Sequence, residues 1–386
     1  MILFVSNSPF LGGAEHYLLD IIGLVKKDFK VKVACPAGLV ADEVKKLGVE
    51  SVEIDIGSTL GRFRGFNLFN LRNVFRVSRL RSLLQELLRE DPNLLVHTQD
   101  YKEMVLFTLA ARGLPVKLLY VQHVILPTWL KKNPFVLKYL RSIWDRQDQI
   151  VTVSDSVKKD LVEAGVNTEK INRVYNGIDL ELFKPFPAQE KRDLRKKYNL
   201  EGKLTVGING RIAWGKGQDV LLLAMSEILK KVPNAHALFV GTGSTFRQGP
   251  LDNIVAKNNL KSKVTFFGSW PREKIPEFYA LTDVVALPSL SEGLPLTILE
   301  AMASGIPCVG TKIAGIPEEI VDGKSGFLMQ ERTPKELAKL CIKLLSDGKL
   351  REKFGKEGRL IVEERFDKKL MVKNMSKLYQ QLLGAS

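Results

Sequence analysis

Residues 288–310 read Pro288-Ser-Leu-Ser-Glu292-Gly293-Leu-Pro295-Leu-Thr-Ile-Leu-Glu300-Ala-Met-Ala-Ser-Gly305-Ile-Pro307-Cys-Val-Gly310. The run just before it, Asp283 to Leu287, is short and apolar and reads as a buried parallel strand. Glu292 and Gly293 mark a turn. Pro295 suits a first helical position, and Leu296 to Ala303 are good helix formers. Gly305 and Pro307 stop the helix, and Pro307 opens the next strand. Two carboxylates bracket the turn, Glu292 in the loop and Glu300 on the helix.

This arrangement suits a phosphorylated sugar. A helix N-terminus offers unpaired N–H groups and a partial positive charge to a diphosphate. Gly293 lets the backbone come close. A carboxylate accepts hydrogen bonds from neighbouring hydroxyls, so Glu292 fits a hexose and Glu300 a ribose. Taken alone, the same residues are also compatible with an ordinary strand–helix unit carrying surface glutamates.

The rest of the chain repeats the alternation of strand-like runs and helical patterns, which argues for parallel sheets covered on both faces. The expected strands in the first half are 2–6, 31–35, 51–54, 94–97, 117–122, 149–153 and 170–174. In the second half they are 204–209, 236–241, 263–267, 283–287 and 307–309. With 386 residues the chain exceeds one ordinary core, so two doubly wound α/β domains are expected. Residues 183–189, with two prolines, read as the linker. No apolar run is long enough to span a membrane, and Met1 leads straight into a strand with no visible signal peptide. Cys35, Cys308 and Cys341 show no metal-ligand spacing and read as reduced core residues of a cytoplasmic protein.

The formal net charge is +15, which favours an anionic partner: nucleic acid, anionic lipid or a phosphorylated substrate. Residues 59–90 hold seven arginines against two glutamates, and residues 129–147 hold five basic residues against one aspartate. Arg62 and Arg64 alternate with phenylalanines, and Trp129 precedes Lys131 and Lys132. An amphipathic helix within 66–90 sets Val74, Val77, Leu80, Leu84 and Leu87 opposite Arg72, Arg76 and Arg79. Basic residues among aromatics suit a surface lying on anionic lipid. A core helix with a solvated basic face fits equally well.

Three further loops carry candidate chemistry. Gly12 and Gly13 follow the first strand and open a helix, where open α/β sheets bind ligands; a tight turn is the plain alternative. His123 ends a strand-like run, a position open to packing or to function. Arg211 and Lys216 lie between a strand and a helix, where two cations make a diphosphate site, although surface cations occur at such spacing too. Gly243 follows a strand without completing a dinucleotide fingerprint. No Asp-x-Asp triplet occurs.

The pattern Pro-Ser-x-x-Glu-Gly-Leu-Pro-Leu-x-x-Leu-Glu-Ala-Met-Ala-x-Gly closely resembles the donor-site signature of the retaining glycosyltransferases of family 4. The resemblance extends over the whole chain and is strongest from about Gly207 to Phe327. It implies a GT-B fold of two Rossmann-like domains facing across a cleft. The first, 1–182, would bind the acceptor and take back a C-terminal helix of about 368–386. The second, 190–367, would bind a nucleotide sugar. Arg211 and Lys216 would neutralise the leaving diphosphate, with Glu292 and His123 at the donor sugar. Gly293, Leu294, Pro295, Leu296, Thr297 and Glu300 would hold the donor at the helix start, joined by Gly12, Gly13 and Gly243. Backbone groups at Ser269 and Trp270 would meet the base. His16, Arg62, Arg64, Trp129, Lys131 and Lys132 would form the acceptor or membrane side.

The reaction implied is a metal-independent transfer of a hexose from a nucleoside diphosphate sugar (a UDP-sugar or GDP-mannose) to a hydroxyl, with no cofactor. The acceptor expected is a lipid-linked saccharide or glycolipid in cell-envelope glycan synthesis. The expected location is cytoplasmic, on the inner face of the membrane, and no nucleic acid partner is expected. Alternatives are a soluble acceptor, or an inactive basic protein that binds membrane or nucleic acid. Phosphorylases and epimerases share the fold, but the intact Glu-x7-Glu segment argues against them.

Overall fold

The computed structural model describes residues 1–8, 10–54, 56–57, 71–243 and 245–384. Short apolar runs form two wholly parallel sheets. The first holds β1 (Ile2–Val5), β2 (Val31–Cys35), β3 (Glu50–Glu53), β4 (Leu94–Thr98), β5 (Val116–Gln122), β6 (Gln149–Thr152) and β7 (Ile171–Arg173), in the order β3-β2-β1-β4-β5-β6-β7. The second holds β8 (Leu204–Asn209), β9 (Ala235–Val240), β10 (Val264–Phe266), β11 (Val284–Leu287), β12 (Cys308–Thr311) and β13 (Gly326–Met329), in the order β10-β9-β8-β11-β12-β13. The two-sheet α/β architecture is the one the alternation predicts. β13 was not among the expected strands: it has four residues and begins with a glycine, a weak signal for a strand.

The central strands are buried along their whole length, as sheets covered by helices on both faces require. In the second sheet Ile208, Phe239 and Val284 pack with Leu221, Met225 and Ile228 from the helix Gln218–Lys231 and with Leu337, Cys341 and Leu344 from the helix Pro334–Leu345. In the first, Leu3, Val5 and Val96 pack with Leu84 and Leu87 from the helix Leu71–Glu90 and with Phe107. That helix buries only part of its expected stripe. Leu80, Leu84 and Leu87 are inside, whereas Val74 and its neighbour Phe75 are about two-thirds exposed, at 67% and 68%.

The chain divides into two compact units, Met1–Asn176 with Lys369–Ser386, and Gly177–Lys368. The division does not fall in the proline-rich 183–189. Phe183 is fully buried, and its carbonyl accepts from Arg359 Nη1 at 2.8 Å. Ile178 donates its N–H to the Phe366 carbonyl at 2.7 Å, and Lys368 pairs with Asp179. Residues 177–187 are therefore fixed to the second unit. The last helix, Lys368–Leu383, returns to the first: Tyr379 packs on Phe4 and Phe29, and its hydroxyl lies 2.8 Å from His97 Nδ1.

Candidate functional site

In the second sheet the strand order changes direction between β8 and β11, the place where loops part at the C-terminal edge of a doubly wound sheet. The loops leaving these strands, 210–217 and 288–295, are tied to each other. Leu290 donates its N–H to the Gly215 carbonyl at 2.7 Å. Gly217 has a left-handed φ of 91°, and a Cβ there would sit 2.5 Å from the Pro288 carbonyl oxygen, so only glycine fits. The Lys216 ammonium lies 2.8 and 3.0 Å from the two Glu292 oxygens. Glu292 is buried, at 6% exposure. Arg211 is exposed, and its carbonyl accepts from Gln218 Nε2 at 3.2 Å.

The helix Leu296–Ala303 begins at this junction with Pro295 as its N-cap, so it starts one residue later than a Pro295 first position would put it. Leu294 and Pro295 are buried. Thr297 Oγ1 donates to the Asn209 carbonyl at 3.0 Å, locking the helix start to the end of β8. Glu300 Oε2 accepts from the Tyr279 hydroxyl at 2.7 Å and from Asn209 Nδ2 at 3.1 Å. Two lateral donors fix the carboxylate, which has about four acceptor directions. Gly293 packs its carbonyl against Gly315, where a Cβ would collide. Gly243, after β9, backs onto the 210–217 loop: a Cβ would meet the Ile212 carbonyl oxygen at 2.6 Å. Ser269 is exposed, and the Trp270 ring leans on Phe267 (5.0 Å) and Tyr198 (5.8 Å) with Lys274 Nζ 4.1 Å from its centre.

Chemically, this edge offers two cations, one of them exposed, a helix N-terminus and a braced carboxylate. That combination can hold a diphosphate with vicinal hydroxyls beside it.

The first sheet changes direction between β1 and β4. Here one buried carboxylate joins the loops: Glu103 accepts from the N–H groups of Asn7 (2.6 Å), Gln99 (3.0 Å) and Asp100 (3.1 Å). Burial, chiefly, pushes its pKa up to about 8, against those three donors. His123, after β5, lies edge-on to Tyr17 with ring centres 4.9 Å apart, and its Nε2 is 3.3 Å from Gln99 Oε1. Burial lowers the His123 pKa to about 4, so the imidazole is neutral near pH 7. Gln99 is buried, and its Nε2 has no partner among the described residues. Gly12 caps the helix Gly13–Val25, and its N–H donates to Glu15 Oε2 at 2.9 Å. His16 is half-buried on that helix.

The basic aromatic segment splits. Trp144 is fully buried in the core, and Lys131, itself exposed, pairs with the buried Asp160. Lys132, Lys138, Trp129 and Phe135 are exposed, Phe135 at 85%. Arg62 and Arg64 lie outside the described residues.

Asn209 and Tyr279, which brace Glu300, and Gln99 and Tyr17, which flank His123, were not expected. Asn209 did carry a signal, as a polar residue ending an apolar strand. Tyr279 carried none, because it reaches Glu300 from a helix 21 residues upstream.

Residues 11–182 match the family described as Glycosyltransferase Family 4, and residues 190–361 match Glycosyl transferases group 1. The chain is 29% identical over 273 residues to an N-acetyl-alpha-D-glucosaminyl L-malate synthase of Bacillus anthracis, an alignment covering 70% of this chain and 69% of that one. It is 31% identical over 233 residues to a GDP-mannose-dependent alpha-(1-6)-phosphatidylinositol monomannoside mannosyltransferase of Mycobacterium tuberculosis, covering 58% and 60%. Across the first curated relatives the chain spans 54–69% of their length. Anabaena HepE in complex with UDP-glucose superposes with a TM-score of 0.85 at 22% identity, over 98% of this chain and 99% of that one. The two family matches, joined to this fold, make the chain a member of the family 4 glycosyltransferases.

Proposed function

We propose that this protein moves a hexose from a nucleoside diphosphate sugar to an acceptor hydroxyl, with retention at the anomeric carbon and without a divalent metal. The observation that carries the reading is the convergence at the β8/β11 edge of Lys216 with Glu292 and of Asn209 and Tyr279 with Glu300. Glu300 accepts from the ribose hydroxyls. Lys216, Arg211 and the N–H groups at the start of the helix Leu296–Ala303 draw off the negative charge that builds on the leaving diphosphate. The ammonium has three hydrogens, so pairing with Glu292 aims it without exhausting it. Glu292 is left to accept from the hexose.

The bond from the anomeric carbon to the phosphate oxygen breaks, and its electron pair leaves with the diphosphate. The acceptor oxygen bonds to the same face, and its proton passes to the departing phosphate oxygen. His123, neutral, donates or accepts a hydrogen bond at the sugar but carries no charge. The UDP-glucose bound by HepE and the nucleotide-sugar names of the relatives support the donor class.

The acceptor we favour is lipid-linked. Trp129, Lys132, Phe135 and Lys138 are exposed basic and aromatic residues of one segment, and Val74 and Phe75 expose another apolar pair. Among the described residues no helix is long and apolar enough to cross a membrane. The mycobacterial relative's name includes a phosphatidylinositol glycolipid and the Bacillus one malate, so both acceptor classes occur in the family.

The test is a thermal-shift and hydrolysis panel of UDP-, ADP- and GDP-sugars, with and without EDTA, on the wild type and Glu300→Ala. One donor should stabilise the wild type regardless of EDTA and lose its effect in the variant. No response to any nucleotide would overturn the reading. Flotation with anionic vesicles at low salt tests the membrane; a protein that stays behind takes a soluble acceptor.

A further inference from the structure

A cavity lies in the Gly177–Lys368 unit, away from the β8/β11 loops, and has a volume of about 570 Å³. Its floor is apolar, with Phe186 and Ile306 among its walls, and its rim carries Lys184, Lys191, Lys356 and Arg359 against one carboxylate, Glu352. Three of those cations are committed. Lys356 pairs with Glu352 at 2.7 Å, Lys184 has Glu181 at 3.8 Å, and Arg359 spends Nε on Glu363 and Nη1 on two carbonyls.

Lys191 is not so placed. Its side chain is only 34% exposed, and its one ion pair among the described residues is at 4.0 Å, to Asp283. That carboxylate is already held by Arg195 at 3.4 Å and by the Thr205 N–H at 2.9 Å. Burial first, and the nearby Arg195 and Arg351 after it, draw the Lys191 pKa down against the opposing pull of Asp283. A half-buried ammonium facing a cavity with no close counter-ion is a site that an anion completes.

We propose that this cavity binds a small molecule pairing a phosphate-like anion with an apolar body, the anion on Lys191 and the body over Phe186 and Ile306. The cavity also backs onto the groups that hold Glu300. Tyr279 lines it, and the Tyr279 hydroxyl is the one that donates to Glu300 Oε2. Ser304 lines it too, and its hydroxyl donates to the Glu300 carbonyl at 2.8 Å. Occupancy therefore changes nucleotide affinity, a coupling that rests on the donor site proposed above. A free phosphate ester and a lipid headgroup share the required chemistry.

Calorimetry on the full chain with phenyl phosphate, inorganic phosphate and phenol tests the site. Phenyl phosphate should bind more tightly than either fragment, and Lys191→Met should weaken it about tenfold or more, the loss of one charge-assisted contact. Lys216→Ala should leave it unchanged. Binding that survives Lys191→Met and vanishes in Lys216→Ala would mean that the ester simply occupies the diphosphate site, and the proposal fails. Should Lys191→Met fold poorly, Leu360→Trp, placed on the partly exposed wall, narrows the cavity and should weaken phenyl phosphate likewise; unchanged binding there overturns the site. UDP titrated with and without phenyl phosphate should shift several-fold in affinity. An unshifted UDP affinity removes the coupling. Absence of UDP binding with phenyl phosphate binding intact removes the donor reading and keeps the cavity. Vesicles with and without phosphatidic acid separate the sources: competition by phosphatidic acid vesicles assigns a headgroup, and its lack a soluble ester.

Discussion

At the β8/β11 edge a cation and a carboxylate face each other; at the β1/β4 edge Glu103 and Gln99 are buried and burial keeps His123 uncharged. Both edges are switch points of doubly wound sheets, so topology offers each as a place for a ligand. What differs is the chemistry each sequence put there. Lys216 and Glu292 face each other, and Glu300 is braced by two donors. Across the other sheet, Glu103 is shut away as a loop tie, His123 is desolvated, and Gln99 Nε2 has no partner among the described residues. A charged edge suits a substrate that arrives with a diphosphate. A neutral one suits hydroxyls, which need direction more than charge.

The sharpest way to break this contrast is Lys216→Met. Losing a cation aimed at a developing diphosphate should lower kcat by about 10²–10³-fold. The buried Glu292 is also left unpaired, so Tm should fall. The double variant Lys216→Met/Glu292→Gln separates the two effects, because it should recover Tm and not turnover. Recovery of both would mean that the pair is only structural.

Next in size is Glu300→Gln, which keeps the shape and removes the charge. A charge-assisted bond is worth about 1.5–3 kcal/mol, so the donor KM should rise roughly tenfold to a hundredfold, with little loss of stability. Tyr279→Phe removes one brace and should cost about tenfold at most. An unchanged donor KM in Glu300→Gln would move the nucleotide elsewhere.

This contrast also explains what could be read from the amino acids. Glu292, Gly293, Glu300, Arg211 and Lys216 stand out because charge and glycine at strand ends are visible in one dimension. So are the apolar runs that became twelve of the thirteen strands among the described residues. Tyr279 and Gln99 were invisible, since a neutral polar residue announces nothing until the fold brings it to a partner. Composition is silent in the other direction too: within the basic aromatic segment 129–147, only packing reveals that Trp144 is a core indole and that Lys131 pairs with a buried aspartate. Residues 183–189 misled, because prolines suggest a linker whereas a buried Phe183 anchors.

The charged edge has one flaw. Glu319, fully buried at the end of the helix Ile316–Glu319, has neither carboxyl oxygen bonded within the described residues. Burial first, and the charges of Glu292 and Glu318 after it, push its pKa well above 4.5. Its folded form holds a proton that the unfolded chain gives up, so stability falls as pH rises above the ordinary carboxylate range. Glu319→Leu should gain about 1–2 kcal/mol near neutral pH, and the gain should grow from pH 5 to pH 8 at no more than about 1.4 kcal/mol per unit. Denaturant melts at the two pH values measure it. A variant less stable at both would mean that the carboxyl has a partner in solution.

The smallest effect expected belongs to His123 and tests the neutral side of the comparison. His123→Ala should cost about tenfold in kcat, the value of one orienting contact. That ratio should then stay flat from about pH 6 to about pH 8, because a pKa near 4 leaves the imidazole uncharged throughout. The stability signature has the opposite sign to that of Glu319. A histidine whose folded pKa is depressed contributes stability that is full above the ordinary value of 6.5 and is lost as pH falls toward 4. His97, lowered to about 3, adds to the same loss from the same unit. The wild type should therefore unfold more readily than His123→Ala as acid is added, although the two match near pH 8 once the packing loss is subtracted. A turnover ratio that swings tenfold between pH 6 and pH 8 would show that the ring titrates in that range, and the first unit's edge would then carry charge as the second one does.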